Sequence, residues 1–237
     1  MSKFWNDSLE DGYYDKILTL GLSKNRGIQA NWHNLTFSKV KNYLHTNTKH
    51  LDYACGSGTL IGLYSEAVSI GFDISQRQIN YANKKYRQKA NFYLTTELDF
   101  RKNKNKYDVI TVLGLLEFLD NEENIEIINN LYGLLKPNGK LILTTPNFTS
   151  TMYLLEIVIN IFGGISYQDQ HINKLNKTKL KYLLSQTDFN EIKVQKLINF
   201  PVFLSFISIK FAEKFNTFVG KVTSNNVGYL LFAELTK

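Results

Sequence analysis

Between His50 and Gly58 the chain runs HLDYACGSG, an apolar arrival followed by an acid and then by two glycines one residue apart. Asp52, Ala54, Gly56 and Gly58 describe a turn of small residues in which backbone N–H groups can approach a ligand, with a helix N-terminus beyond. A second acid, Asp73, closes the run AVSIGFD, about 20 residues downstream, where a carboxylate can hold a ribose. Accepting both ribose hydroxyls would contribute on the order of 1.5–3 kcal/mol per charged hydrogen bond. A dinucleotide fingerprint asks for glycines where this chain has Ala54, Gly56 and Thr59, so a pyrophosphate is poorly served. A ligand carrying ribose and adenine without phosphate fits better.

These residues need a frame of strand ends, and the pattern supplies one. His50 to Tyr53, Ala67 to Asp73, Asn91 to Thr95, Tyr107 to Leu113 and Lys140 to Thr144 have strand character. YDVITVL is too apolar for a half-exposed edge, as expected of a central parallel strand. Between them lie helical patterns: Thr59 to Ser65, a helix after the N-cap Ser75 with Ile79, Ala82 and Tyr86 on one face, and Asn121 to Leu135. The last stops at KPNG, where Pro137 cannot continue a helix and Gly139 permits a turn. Such alternation implies right-handed crossovers and a doubly wound, mostly parallel α/β sheet. Further on, Thr178 to Ser185 reads as a helix, and Glu191 to Leu197 and Tyr229 to Leu235 as strands. A helix over Thr36 to Leu44 leads into the first strand. One domain is expected over 1–237: an N-terminal helical cap over 1–48, a ligand-binding core over 49–146, and a lid with C-terminal strands over 147–237.

Composition narrows the class. The 237 residues suffice for one good-sized core. The formal charge of +7 is spread over lysines mixed with asparagines, as in RKNKNK from Arg101 to Lys106, which favours a solvated surface over a nucleic-acid patch. One cysteine, Cys55, excludes an intramolecular disulfide framework, and the four histidines have no zinc spacing. The opening MSKFWNDSLEDG has no apolar signal core, and no apolar run reaches the roughly 18–20 residues that span a bilayer. A cytoplasmic location is expected, with no metal and no nucleic-acid partner.

S-adenosylmethionine is the common phosphate-free ligand with ribose and adenine, and the motifs agree with it. LDYACGSG, GFDIS, YDVITVLGLLEFLDN, LLKPNGKLILTTPN and HINKLNKTKLKYLLSQTDF together resemble the class I S-adenosylmethionine-dependent methyltransferases, in the branch that contains quinone-biosynthesis O-methyltransferases. The resemblance runs from about His50 to Thr145 and more weakly to Phe189. It implies a Rossmann-like methyltransferase fold with N-terminal helices and a lid after the fifth strand. It also implies a cofactor site of Asp52, Ala54, Gly56, Gly58, Asp73 and Ile74, with Glu97 and Leu98 in the loop that flanks adenine and Leu113 beside the methionine moiety. Ala54 replaces the family's usual first glycine, Glu117-Phe118 its usual Glu-His, and Asp188 the glycine before Phe189.

Transfer to a hydroxyl needs a base. His171, His33, Glu117, Tyr13 and Tyr14 are candidates, and His171 is preferred because its segment resembles a family loop over the substrate side and imidazole titrates near neutral pH. Cys55 fits small buried packing better than nucleophilic chemistry. Two apolar patches, Met152 to Ile165 and Leu197 to Ala212, have Lys210, Lys214 and Lys221 nearby. They suit core and lid packing, a greasy acceptor pocket or shallow membrane contact. The expectation is a methyltransferase acting on an oxygen, before nitrogen or carbon, of a small or lipid-linked acceptor. An NAD-dependent oxidoreductase and a non-catalytic cofactor-binding subunit are the alternatives.

Overall fold

The computed structural model of the chain describes residues 9–149, 152, 170–224 and 226–237. The elements run α1 (Tyr13–Ser23), α2 (Ile28–Lys41), β1 (Lys49–Tyr53), α3 (Thr59–Tyr64), β2 (Val68–Asp73), α4 (Gln76–Tyr86), β3 (Asn91–Leu94), β4 (Tyr107–Leu113), α5 (Asn121–Leu134), β5 (Leu135–Pro146), α6 (Lys177–Leu184), β6 (Glu191–Leu197), α7 (Ile209–Val222) and β7 (Leu230–Thr236). The strands form one sheet in the order β3-β2-β1-β4-β5-β7-β6. β7 alone runs against its neighbours, pairing antiparallel with both β5 and β6. The doubly wound, mostly parallel α/β arrangement is therefore present.

Alternation along the central strands divides the core between the two faces of the sheet. Leu51, Ile110, Val112, Leu141 and Leu143 pack with Ile128, Leu131 and Leu134 of α5 and with Leu180, Leu183 and Leu184 of α6. Val109, Ile142 and Phe232 turn the other way, onto Val40, Leu44 and Leu60. Each fully buried aliphatic side chain contributes about 1.5–3 kcal/mol, so β4, buried on both faces, anchors the sheet. Helix starts follow local chemistry. Asp120 and Glu123 form a capping box on α5, and Ser75 caps α4 by accepting from the Gln78 N–H.

Several boundaries differ from the sequence reading. α2 begins at Ile28, well before Thr36, because Ile28, Trp32 and Leu35 already bury a common stripe against Val202 and Leu230. In the KPNG turn it is Asn138 that takes the left-handed conformation, at φ 64°. Gly139 is needed for close approach instead, since a Cβ there would stand 2.8 Å from the Lys136 carbonyl oxygen. α1 falls within the N-terminal helical cap expected over 1–48, where no bounds were set for it, and α7 has no counterpart in the sequence reading. The patch from Leu197 to Ala212 comprises the end of β6, a 3-10 segment over Phe200–Phe206 and the start of α7. Of the patch from Met152 to Ile165, all but Met152 lies outside the described residues, as do the first eight residues and most of the expected lid.

The N-terminal helices are bolted to the core. Asp15 of α1 is fully buried and receives hydrogen bonds from Tyr81, Tyr86 and Lys85 of α4. Burial opposes its charge, but those three donors hold its carboxyl below the ordinary range. Next to it, Gly12 has φ 68°, and a Cβ there would fall 2.2 Å from the Tyr81 ring. Its N–H donates to Gln78 Oε1 at 3.1 Å.

Candidate active site

The strand order reverses between β1 and β4, and in an open α/β sheet the crevice beyond such a reversal is the ligand site. A cavity of about 640 Å³ opens there. It is lined by Asp52 and Ala54 at the end of β1, Asp73 and Ile74 at the end of β2, and Leu113 and Gly114 at the end of β4. The opposite wall is apolar and aromatic, with Trp32, His33 and Phe37 from α2, Phe118, His171, and Phe203 from the 3-10 segment.

The β1–α3 turn contains three left-handed residues, Ala54 at φ 62°, Gly56 at φ 51° and Gly58 at φ 73°. They let the chain fold back so that the Gly56 N–H donates to Asp73 Oδ2 at 2.8 Å. The Ser75 N–H donates to Asp73 Oδ1, also at 2.8 Å. Burial pushes the Asp73 carboxyl up while these backbone donors pull it down, and burial prevails. The Ile74 N–H is a third backbone donor to this carboxylate, which lies in the lining of the cavity. A Cβ on Gly56 would meet nothing within 4 Å, so the space above this glycine is open, the room a nucleoside needs.

Asp52 sits deeper. Thr111 Oγ1 donates to its Oδ1 at 2.6 Å, and His50 Nε2 lies 2.8 Å from the same hydroxyl. With Asp52 ionised, the single threonine proton goes to the carboxylate, so His50 Nε2 donates and His50 Nδ1 accepts from Ser69 Oγ at 2.9 Å. Burial keeps His50 neutral, its pKa pushed down to about 3. Burial, opposed by Thr111 and aided by Asp73, raises Asp52 to about 7. Sequence reasoning named Asp52 but missed its partners Thr111, His50 and Ser69; His50, two residues before Asp52 and on the same face of β1, was the available signal.

Three residues expected at the cofactor lie elsewhere. Gly58 starts α3 at φ 73°, and its Cβ position is filled by Phe92, 2.6 Å away, and Ala82, so it serves packing beneath the turn. Glu97 spends its carboxylate on the Leu94 N–H at 2.9 Å. Leu98 is buried in the core below the sheet's edge. Thr95, two residues before Glu97, is the member of that loop which reaches the cavity. Cys55 packs toward Gly71 and Phe92 with its thiol pushed well above the ordinary range by burial and by Asp73 and Asp52, a poor nucleophile.

Four of the candidate bases, Tyr14, His33, Glu117 and His171, line the cavity. The His171 ring lies against Phe118, centroids 5.2 Å apart, and against Phe148 at 5.4 Å. Its loop is tied to the 3-10 turn after β4, Leu116–Phe118, by the Asn173 N–H, which donates to the Glu117 carbonyl at 3.0 Å. Glu117 is itself buried, accepts from Thr145 Oγ1 at 3.0 Å, and is raised to about 7 by burial. His33 stands between Tyr14 and Phe37 and is lowered to about 4 by burial. Among the described residues no His, Cys, Asp or Glu cluster could hold a metal ion.

Comparison with known proteins agrees with this geometry. The solved structures of an S-adenosylmethionine-dependent methyltransferase from Archaeoglobus fulgidus and of magnesium protoporphyrin IX methyltransferase from Synechocystis with bound S-adenosylhomocysteine superpose with TM-scores of 0.59 and 0.57. They are 18% and 16% identical, covering 86% and 100% of this chain and 94% and 97% of theirs. The fold is thus that of S-adenosylmethionine-dependent methyltransferases. A family model described as a methyltransferase domain matches residues 15–194, and the chain belongs to that family. The ubiquinone biosynthesis O-methyltransferase of Rickettsia felis is 28% identical over 159 residues, 64% of either protein. That of Coxiella burnetii is 34% identical over 116 residues, 46% of this chain and 49% of the relative. The chain thus spans about half to two thirds of the length of these curated relatives.

Proposed function

We propose that the chain transfers the methyl group of S-adenosylmethionine to an oxygen of a small or lipid-linked acceptor. The observation that carries this is one cavity lined both by Asp52, Asp73 and an open glycine and by aromatic side chains with His33 and His171. The O-methyltransferase relatives support oxygen as the atom methylated, and the apolar wall supports a greasy acceptor. The cofactor, when bound, supplies a methyl group on a sulfonium that an in-line nucleophile displaces.

In this reading Asp73 holds the ribose hydroxyls, with Ile74 beside them. Ala54 and Gly56 give the nucleoside its space, and Asp52 and Leu113 face the methionine part. Positioning of two reactants is worth about 7–11 kcal/mol of barrier when the approach is in line, and the chain provides it through the rigid ends of β1, β2 and β4. The aromatic wall excludes water. His171 takes the acceptor proton as the general base, a role worth roughly 10²–10⁴ in rate. Asn173 and the Glu117 backbone fix the loop that carries it.

Calorimetric titration of S-adenosylmethionine into purified protein is the direct test. Saturable binding that Asp73→Ala weakens at least about tenfold, by the loss of a charged hydrogen bond, is the expected result. No binding by the unaltered chain, or unchanged binding in the variant, would overturn the reading. His171→Ala should leave that affinity intact while lowering turnover of a hydroxyl-bearing acceptor.

A further inference from the structure

α7 carries two parallel rows along its outer face. Phe211, Phe215, Phe218 and Val222 follow one another at i, i+4, i+7 and i+11, and are 59%, 44%, 60% and 69% exposed. Lys210, Lys214 and Lys221 each stand one residue before a member of that row, with Thr217 before Phe218, and all four are exposed as well. Phe215 and Phe218 stack with an interplanar angle of 6°. The preceding turn adds Phe206 and Ile207, 66% and 67% exposed. The one acid of the helix, Glu213, is turned inward and accepts from Asn34 of α2. Apolar side chains on a globular helix ordinarily face the core; here Ile209 and Ala212 do so, and a second apolar row faces out.

We propose that this face of α7, with Phe206 and Ile207, docks the protein on an anionic lipid surface. The row of phenylalanines has the form that enters the headgroup and acyl boundary by about 5–10 Å in an interfacial helix. Long lysine side chains beside it keep their stems on the apolar surface and their ammonium groups among the phosphates. Charge decides the occupant. A second copy of the same face would bring lysine row against lysine row, whereas an acidic bilayer surface meets both rows at once. No helix among the described residues is long and apolar enough to cross a membrane, so the contact is in the plane of the surface.

The docking face adjoins the acceptor side of the cavity. The Ile209 and Lys210 N–H groups donate to the Asn25 carbonyl and to Asn25 Oδ1, and the Gly27 N–H donates to the Ser205 carbonyl. α7 and the 3-10 segment are therefore fixed to the start of α2, and Ile28, Trp32 and Phe203 of these same elements line the cavity. A lipid-dissolved acceptor would reach the aromatic wall from that side. This last step rests on the methyl-transfer reading; the docking itself does not.

Flotation of the full chain with phosphatidylcholine vesicles containing a quarter phosphatidylglycerol, beside vesicles of phosphatidylcholine alone, tests the proposal. Binding is expected only to the anionic vesicles and should weaken with salt. The triple variants Phe211→Ser/Phe215→Ser/Phe218→Ser and Lys210→Glu/Lys214→Glu/Lys221→Glu should each lower partitioning by at least about tenfold. Phe215→Trp in the otherwise unaltered chain should show a blue-shifted emission with anionic vesicles alone. Absence of binding to anionic vesicles overturns the proposal. So does full binding by the phenylalanine variant, which would mark a diffuse charge effect. A dimer in solution that the phenylalanine variant converts to monomer assigns the face to a second copy and also overturns it. S-adenosylmethionine titration of the same variants separates this outcome from the fate of the methyl-transfer reading, since cofactor affinity should be unchanged.

Discussion

Ala54 stands in a conformation that L-residues pay about 1–2 kcal/mol to adopt, because the β1–α3 turn must bring the Gly56 N–H onto Asp73. Ala54→Gly is expected to raise stability by about 0.5–1 kcal/mol, after the greater flexibility of glycine in the unfolded chain is offset; urea unfolding at fixed pH measures it. Asp52 gives a pH effect. Its folded pKa of about 7 lies above its unfolded value near 3.8, so the folded state holds the extra proton between those values and stability falls as pH rises through that window. A cationic ligand favours the ionised form. Cofactor affinity should therefore rise roughly tenfold from pH 6 to pH 8, as linkage requires for one group titrating near 7. Asp52→Asn should flatten that dependence and stabilise the ligand-free protein at pH 8, both accessible by calorimetry. Gly56 and Asp73 were legible in the sequence because their task is local backbone geometry at a strand end. Gly58 was not, because Phe92, which fills its Cβ position, comes from a strand more than thirty residues away.

α1 and α2 shape the aromatic end of the cavity, and α1 depends on one buried carboxylate with three donors. Asp15→Ala leaves the buried Tyr86 hydroxyl without its acceptor and removes the bolt, with an expected loss of about 1–3 kcal/mol, as for a buried polar group left unsatisfied. Because the Asp15 pKa is lowered, its contribution is full above the unfolded value near 3.8 and fades as pH falls through the folded one. Chemical denaturation of the variant at neutral pH checks the magnitude. The strands and the helices α3 to α6 were legible because each buries one face or two against the sheet. For α1 only a helical cap over 1–48 was legible and not its bounds, since the helix begins in the aromatic pair Tyr13 and Tyr14 and its decisive contacts lie on α4. α7 merged with an apolar patch because its outward row of phenylalanines hides the helical period of Ile209 and Ala212.

The whole molecule follows from the alternation of strand and helix up to β5, which the sequence displays openly; the assignment to the methyltransferase fold rests on that half. What the sequence could not display is the order of the last strands. β7 slips between β5 and β6, with Leu141 opposite Leu235 on one side and Ile192 opposite the same Leu235 on the other. The chain thus assembles its sheet out of sequence: β6 emerges with no neighbour to bind, and its backbone groups stay unpaired until Leu230–Thr236 has been made. A chain cut before Leu230 should lose two strands for the removal of one, leaving β5 as an open apolar edge. Such an edge is a template for association between copies. The truncated protein is expected to aggregate where the full chain is monodisperse, a difference that light scattering during synthesis or refolding would register.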